Sequence, residues 1–91
     1  MGTRIVDPND TTPRLSEAEY RSRLRELPPS AKLVAKILEL DGPLPQGELV
    51  EESLLPQRTV RYALNRLEEC DLVEARYSLV DARKQVYSLT V

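Results

Sequence analysis

The sequence of 91 residues contains no histidine, tryptophan or phenylalanine, and it has a single cysteine, Cys70. Without histidine the chain cannot form a Ser-His-Asp triad, an HExxH zinc site or a zinc finger of two cysteines and two histidines. One cysteine can form neither an internal disulfide nor a CxxC redox pair, which is typical of a reducing, intracellular compartment. We therefore expect a cytoplasmic protein that is not an enzyme, with no metal site and no cofactor.

Long apolar runs and a strong excess of one charge are also missing. No stretch approaches the roughly 18 apolar residues that span a bilayer, and no signal-peptide pattern opens the chain. We therefore expect no membrane partner. The 13 lysines and arginines stand against 15 aspartates and glutamates, which gives a formal net charge of −2. Because nucleic-acid-binding domains are usually basic, this total by itself disfavours such a partner.

The length predicts one domain, residues 16–91, preceded by a flexible N-terminal arm of residues 1–15. The arm has two prolines, a cluster of Asp, Asn and Thr, and no periodic apolar pattern. Ser16-Glu17-Ala18-Glu19 has the pattern of a capping box and predicts the start of a helix over residues 16–27. Pro28-Pro29 predicts its end, because proline lacks the backbone donor.

This first helix carries a short apolar stripe, formed by Tyr20, Leu24 and Leu27 at helical spacing. Two interpretations of the stripe stay open at this stage. It can pack back onto its own domain, or it can form a homodimer through residues 16–27.

Three helices and a β-hairpin are predicted in the remaining core, residues 30–91. Helical spacing and breakers predict helices from Ser30 to Asp41, from Gln46 to Glu52 and over residues 56–70, with Leu33, Val34, Ile37, Leu38 and Leu40 inward on the first of them. Alternating patterns rich in Val, Tyr and Thr predict strands over 72–78 and 85–91, with Tyr77 and Tyr87 in the core, joined by a loop at 79–84. The order predicts an α+β fold: a winged helix-turn-helix with a three-helix core, a β-hairpin wing and an extra N-terminal helix.

The predicted helix over residues 56–70 has an apolar side and a polar side of one charge sign. Its outward residues are Gln57, Arg58, Thr59, Arg61, Tyr62, Asn65 and Arg66. Residues 57–67 contain three arginines and no acid, a net charge of +3, whereas residues 30–56 carry two lysines and five acids, a net charge of −3. The total of −2 therefore conceals a local basic surface.

This polar side suits double-stranded DNA. The N-terminal half of a recognition helix enters the major groove, where arginine pairs with guanine and glutamine with adenine, each pair worth ~1–3 kcal/mol of discrimination. The helix N-terminus also favours a phosphate. The alternative is a solvated arginine-rich face, which explains the exposure of these residues but not the separation of charge signs.

The loop at 79–84 contains a second set of cations, Arg83 and Lys84. A wing would place them over phosphates or in the minor groove. The alternative is a charged tip that keeps the hairpin soluble, and the pattern fits both. Cys70, at the edge of the apolar stripe of the helix before it, is expected to be a small buried hydrophobe.

These elements resemble the winged helix-turn-helix transcription regulators of the MarR/ArsR/TrmB-like group, and most closely the short haloarchaeal regulators. The resemblance lies in LPPSAKLVAKILELDGPLPQGELVEES, LLPQRTVRYALNRLEECDLV and the ending QVYSLTV. In that family RTVRYALNRLEE belongs to the recognition helix, and LVEARYS and QVYSLT form the wing. The resemblance implies a sequence-specific DNA-binding transcriptional regulator, with the helix over 56–70 in the major groove and the wing over 79–84 on the backbone or in the minor groove.

The chain departs from the family in two turns and in length. The family usually has glycine where Asp71 stands, and Ser or Thr where Pro45 stands. Larger MarR-like proteins add C-terminal helices that form a dimer and enclose an effector pocket, so we expect no small-molecule effector for this chain. A protein–protein interaction module in a transcription or replication assembly is the alternative function, and a mixed or acidic recognition helix would favour it.

Overall fold

A computed structural model of the chain describes residues 15–80 and 84–91. Its elements are α1 (Glu17–Arg25), α2 (Pro29–Asp41), α3 (Gln46–Ser53), α4 (Gln57–Glu69), β1 (Val73–Tyr77) and β2 (Gln85–Leu89). The predicted arm lies outside the described residues except for Leu15, which packs half-buried against the core. No helix in these two ranges is long and apolar enough to cross a membrane.

Helix α1 starts as its sequence predicts. The Glu19 backbone N–H donates to Ser16 Oγ at 3.1 Å, and the Ser16 N–H donates to Glu19 Oε1 at 3.2 Å, which completes the capping box. The helix ends at Arg25, two residues before the predicted end. Pro29 then occupies the first turn of α2, where a missing N–H removes no helical hydrogen bond.

The core lies where α2 and α4 pack together, with α1, α3 and the hairpin around them. Its largest fully buried side chains are Val34, Leu49, Val60, Leu64, Leu67 and Leu72. Two residues predicted to face inward do not, because Leu33 is 39% exposed and Leu40 is 84% exposed. At 100° per residue the buried face of α2 centres near Leu38, and Leu33 and Leu40 lie about 130° and 150° around the helix from that centre.

The apolar stripe of α1 packs onto its own domain. Tyr20, Leu24 and Leu27 are 4%, 7% and 5% exposed. The Tyr20 hydroxyl donates to Glu39 Oε2 of α2 at 2.6 Å, and Arg23 Nη1 donates to the Cys70 carbonyl at 2.8 Å. The stripe is thus not available as an apolar dimer surface, and a homodimer through residues 16–27 would have to use other side chains.

Two turns frame α4. Leu54, between α3 and α4, has φ 62° and ψ 19°, and Pro56 is the N-cap of α4. After α4, Asp71 has φ 59°, and its N–H donates to the Glu68 carbonyl while the Leu72 N–H donates to the Leu67 carbonyl. This pair of hydrogen bonds is a Schellman motif, in which Asp71 takes the left-handed conformation that glycine usually takes at this position of a helix end.

The hairpin of β1 and β2 is antiparallel, with Val73 opposite Leu89 and Tyr77 opposite Gln85. Leu44, between two prolines, adds a one-residue third strand by exchanging two hydrogen bonds with Tyr87, at 3.1 and 2.9 Å. The third strand is limited to one residue because the flanking prolines, Pro43 and Pro45, lack the donors that a longer ladder needs. The fold predicted from the element order is therefore the observed one.

Candidate nucleic-acid interface

Helix α4 separates its apolar and polar residues as predicted. Val60, Ala63, Leu64 and Leu67 are buried. Every predicted contact residue on α4 reaches the surface: Gln57, Arg58, Arg61, Tyr62 and Asn65 are exposed, and Thr59 and Arg66 are partly exposed. One face of a single helix thus presents all seven side chains to the outside.

The N-terminal end of α4 is open. No side chain caps it, and within the described residues its first hydrogen-bonded backbone donors are Thr59 and Val60, which both donate to the Pro56 carbonyl at 3.0 Å. A shallow depression of about 440 Å³ lies there, lined by Pro56, Gln57, Arg58 and Arg61. Free backbone N–H groups and the helix dipole make this end attractive to an anion.

The two arginines at this end are free of ion pairs in the part of the chain that the structure describes. The cations of the four observed ion pairs are Arg21, Arg23, Lys36 and Arg66. Arg58 and Arg61 are not among them. Their charges are therefore uncompensated and can meet an anion from outside.

Arg66 differs from the other two arginines of α4. Its Nη1 donates to the Tyr62 hydroxyl oxygen at 2.9 Å, its guanidinium carbon lies 5.9 Å from the centre of the Tyr62 ring, and its Nε lies 3.6 Å from Glu69 Oε1. The hydrogen bond to Tyr62 raises the pKa of Arg66. Two of the predicted contact residues, Tyr62 and Arg66, thus contact each other.

The hairpin lies beside α4. Tyr87 of β2 is half-buried against the core as predicted, and its pKa is raised first by burial and then by the negative charge of Glu68, while Arg61 lowers it. Tyr87 therefore lies near Glu68 and Arg61 of α4. Of the two predicted wing cations, Lys84 is exposed, with its carbonyl accepting from the Ser78 N–H at 2.8 Å, and Arg83 lies outside the described residues.

Tyr77 is a surface residue that the sequence analysis placed wrongly in the core. It is 65% exposed and belongs to the last paired position of the hairpin, opposite Gln85. Alternation from Val73 puts Tyr77 on the inner side of β1, but no described residue covers an inner side chain at that end of the hairpin. Its place next to the loop at 79–84 is the signal that could have identified it as a surface aromatic residue.

A basic groove, separate from the depression at the start of α4, lies between α1 and α2. It measures about 210 Å³, has Tyr20 and Leu24 in its lining, and is flanked by Arg21, Arg25, Lys32 and Lys36. Arg23, which contacts the Cys70 carbonyl at the end of α4, is two positions from both Arg21 and Arg25. At 100° per residue it therefore points about 160° away from each of them around α1. The groove therefore opens away from the end of α4 that Arg23 contacts.

No protein-family model and no curated protein matches the sequence. Solved structures do match the fold. BpsR of Bordetella bronchiseptica, whose DNA binding is regulated by 6-hydroxynicotinic acid, is 24% identical with a TM-score of 0.69, over 80% of this chain and 54% of its own. The transcriptional regulator Tm0710 of Thermotoga maritima is 24% identical with a TM-score of 0.67, over 81% of this chain and 54% of its own. A MarR family transcription regulator is 22% identical with a TM-score of 0.68, over 80% and 49%.

The fold is a winged helix-turn-helix. Within it α3 and α4 are the helix-turn-helix, and the hairpin of β1 and β2 is the wing. This chain spans about half the length of the proteins it matches. The winged helix presents an acid-free half of α4 with an open N-terminus, and its wing has two described cations, Arg76 on β1 and Lys84 directly before β2.

Proposed function

We propose that this winged helix binds double-stranded DNA in a sequence-specific manner as a transcriptional regulator. The observation that carries the proposal is the N-terminal half of α4, where Arg58 and Arg61 have no ion pair among the described residues and flank an uncapped helix end. The acids of the helix, Glu68 and Glu69, lie at its other end. This half can therefore approach phosphates without like-charge repulsion from its own helix.

In this proposal α4, predicted over residues 56–70, enters the major groove, and each residue type has a role that follows from its chemistry. Arg58 and Arg61 can pair with guanine edges, and Gln57 and Asn65 with adenine edges. Thr59 and Tyr62 carry hydroxyls suited to base edges or to phosphates. The wing at 79–84 would lie on the backbone or in the minor groove, with Arg83 and Lys84 as its cations.

The wider proposal keeps three expectations about the protein's setting. They are a cytoplasmic location, kinship with short haloarchaeal regulators, and a possible homodimer through the polar side chains of residues 16–27. No small-molecule effector is part of the proposal. The groove between α1 and α2 is where an organic anion would have to be tested, since the DNA binding of the similar BpsR is regulated by 6-hydroxynicotinic acid.

Selection of bound sequences from random duplex DNA tests the proposal. We expect one enriched motif, and we expect Arg58→Ala and Arg61→Ala each to weaken binding to it by roughly 5- to 150-fold, because a bidentate arginine–guanine pair is worth ~1–3 kcal/mol. Each substitution should also relax selection at its own position in the motif. Arg25→Ala is the matched control, since it removes the same charge from an exposed arginine of α1.

The selection has outcomes that would contradict DNA binding. No enriched motif, or an enrichment that neither α4 substitution alters, would reject it and favour a protein–protein interaction module in a transcription or replication assembly. A palindromic motif with half-sites ~10–10.5 base pairs apart would support a dimer.

A further inference from the structure

Three contacts within α4 hold the Arg66 side chain in place. They run to the Tyr62 hydroxyl at 2.9 Å, to the face of the Tyr62 ring at 5.9 Å, and to the Glu69 carboxylate at 3.6 Å. The spacings of four and three residues put the three side chains on neighbouring positions of one side of the helix. Arg66 is therefore engaged within the chain, unlike Arg58 and Arg61.

These contacts decide what the Tyr62 hydroxyl can do. A guanidinium group only donates hydrogen bonds, so the Tyr62 oxygen acts as the acceptor toward Arg66 and keeps its own proton for another partner. The adjacent positive charge strengthens that O–H as a donor. Tyr62 is 48% exposed, so this partner can come from outside the chain.

The chemistry of the partner follows from this arrangement. A strengthened donor on a cationic surface suits a group that only accepts and that carries negative charge, which describes a phosphate oxygen. Arg66 also restricts the rotation of Tyr62, which lowers the entropy that a contact would otherwise lose. The charge of Arg66 itself is offset by Glu69, in the acidic end of α4.

We propose that Arg66 is a positioning residue: it presents the Tyr62 hydroxyl as a donor to a phosphate of the DNA backbone and does not itself contact the duplex. This inference rests on the proposed function and narrows it, because it removes Arg66 from the direct contacts that the sequence predicts. Tyr62 becomes a backbone contact in place of a contact to a base.

A double-mutant cycle with the duplex found by selection tests the inference. The variants are Tyr62→Phe, Arg66→Ala and the two combined, and their dissociation constants are measured at several salt concentrations. We expect Tyr62→Phe to weaken binding roughly 10- to 150-fold, the range of one lost hydrogen bond to a charged group, and Arg66→Ala to weaken it by no more than that. The combined variant should bind no more weakly than Tyr62→Phe alone.

The salt dependence separates positioning from direct contact. Each phosphate that a cation neutralises contributes ~0.9 to the slope of log K against log salt concentration. Arg66→Ala should leave the slope unchanged, whereas a direct phosphate contact would lower it by about 1. Arg66→Lys keeps a donor and a cation, so it should restore part of the affinity when Tyr62 is present and none in the Tyr62→Phe background.

Two results would overturn the positioning role alone: losses that add in the combined variant together with a lower salt slope for Arg66→Ala, or unchanged affinity in Arg66→Ala. Absence of duplex binding by the unsubstituted chain would overturn both this inference and the proposed function. Circular dichroism and thermal unfolding of each variant would show that the helix remains folded.

Discussion

Leu54 and Asp71, at the two turns around α4, have the left-handed backbone conformation, which residues other than glycine rarely adopt. Their φ angles are 62° and 59°. Asp71 is compensated in part, because its carbonyl accepts from Thr90 Oγ1 at 2.6 Å and its N–H completes the Schellman motif. Leu54 is 89% exposed, so its side chain adds almost no packing to offset the conformational cost.

We predict that Leu54→Gly stabilises the domain by about 0.5–1 kcal/mol. The left-handed conformation costs a residue other than glycine ~1–2 kcal/mol, and glycine removes that cost. Part of this stabilisation is offset because glycine gives the unfolded chain more conformational entropy. Urea unfolding measures the change. Leu40→Gly is the matched control, because Leu40 is 84% exposed but lies in α2, where glycine should destabilise by about 1 kcal/mol. If Leu54→Gly destabilised the domain as Leu40→Gly does, the side chain of Leu54 would contribute to stability despite its exposure.

Helix α1 is attached to the rest of the domain by a few polar contacts around its buried stripe. Tyr20 bonds to Glu39 on α2, and Arg23 bonds to the Cys70 carbonyl at the end of α4. Burial, followed by the hydrogen bond to the Glu39 carboxylate and its negative charge, raises the pKa of Tyr20 well above its ordinary value near 10. The attachment of α1 is therefore sensitive to alkaline pH.

We predict that the domain loses stability above pH 10, and that Tyr20→Phe loses less. Because the pKa of Tyr20 is raised in the folded state, its contribution is fully present below pH ~10 and is lost as the pH rises above that value. Between pH 8 and pH 11 the free energy of unfolding should fall by about 1 kcal/mol more in the unsubstituted chain than in Tyr20→Phe. The comparison needs urea unfolding of both proteins at pH 8 and pH 11.

Tyr87, whose pKa is also raised, keeps some alkaline sensitivity in the Tyr20→Phe variant. Tyr20→Phe should also lower the stability at pH 8, since it removes the hydrogen bond to Glu39 Oε2 and leaves the carboxylate with Lys36 Nζ alone, at 3.4 Å. If both proteins lost the same free energy of unfolding between pH 8 and pH 11, ionisation of Tyr20 would not be coupled to the packing of α1 onto the domain.

The whole molecule separates charges of opposite sign on adjacent helices. Helix α3 carries Glu48, Glu51 and Glu52 on its exposed side, none of them in the ion pairs of the described residues, directly before the cationic α4. A duplex on α4 would thus approach a negative surface on the preceding helix. The net charge of −2 reflects this arrangement and says little about the interface itself.

We predict that Glu51→Gln combined with Glu52→Gln raises the affinity for duplex DNA several-fold at ~50 mM salt without changing the selected motif. Repulsion between exposed charges is screened beyond about 10 Å at 0.1 M salt, so the gain should shrink as salt is added. Fluorescence anisotropy across a salt series measures it. The matched control is Glu17→Gln combined with Glu26→Gln, an equal charge change on α1, and an equal gain from the control would assign the effect to net charge alone.

The predictable part of this protein is the local part. The capping box at Ser16, the helix break at Pro28-Pro29 and the apolar side of α4 each depend on residues within a few positions of one another, and each agrees with the structure. The acid-free half of α4 is likewise visible in the chain order. The predicted contact residues of α4 therefore share one exposed face.

Tertiary structure decided which of these faces is covered and which side chains are already engaged. Periodicity shows that Tyr20, Leu24 and Leu27 share a side, but only the packing of α1 shows that their own domain buries them. The sequence by itself determined the element order and the sign of the α4 surface, because caps, breakers and charge are properties of neighbouring residues. The predicted burial of Leu40 and Tyr77 was wrong because exposure depends on how distant elements meet. The contacts of Arg66 with Tyr62 and Glu69 depend on side-chain rotamers, which the sequence pattern does not determine.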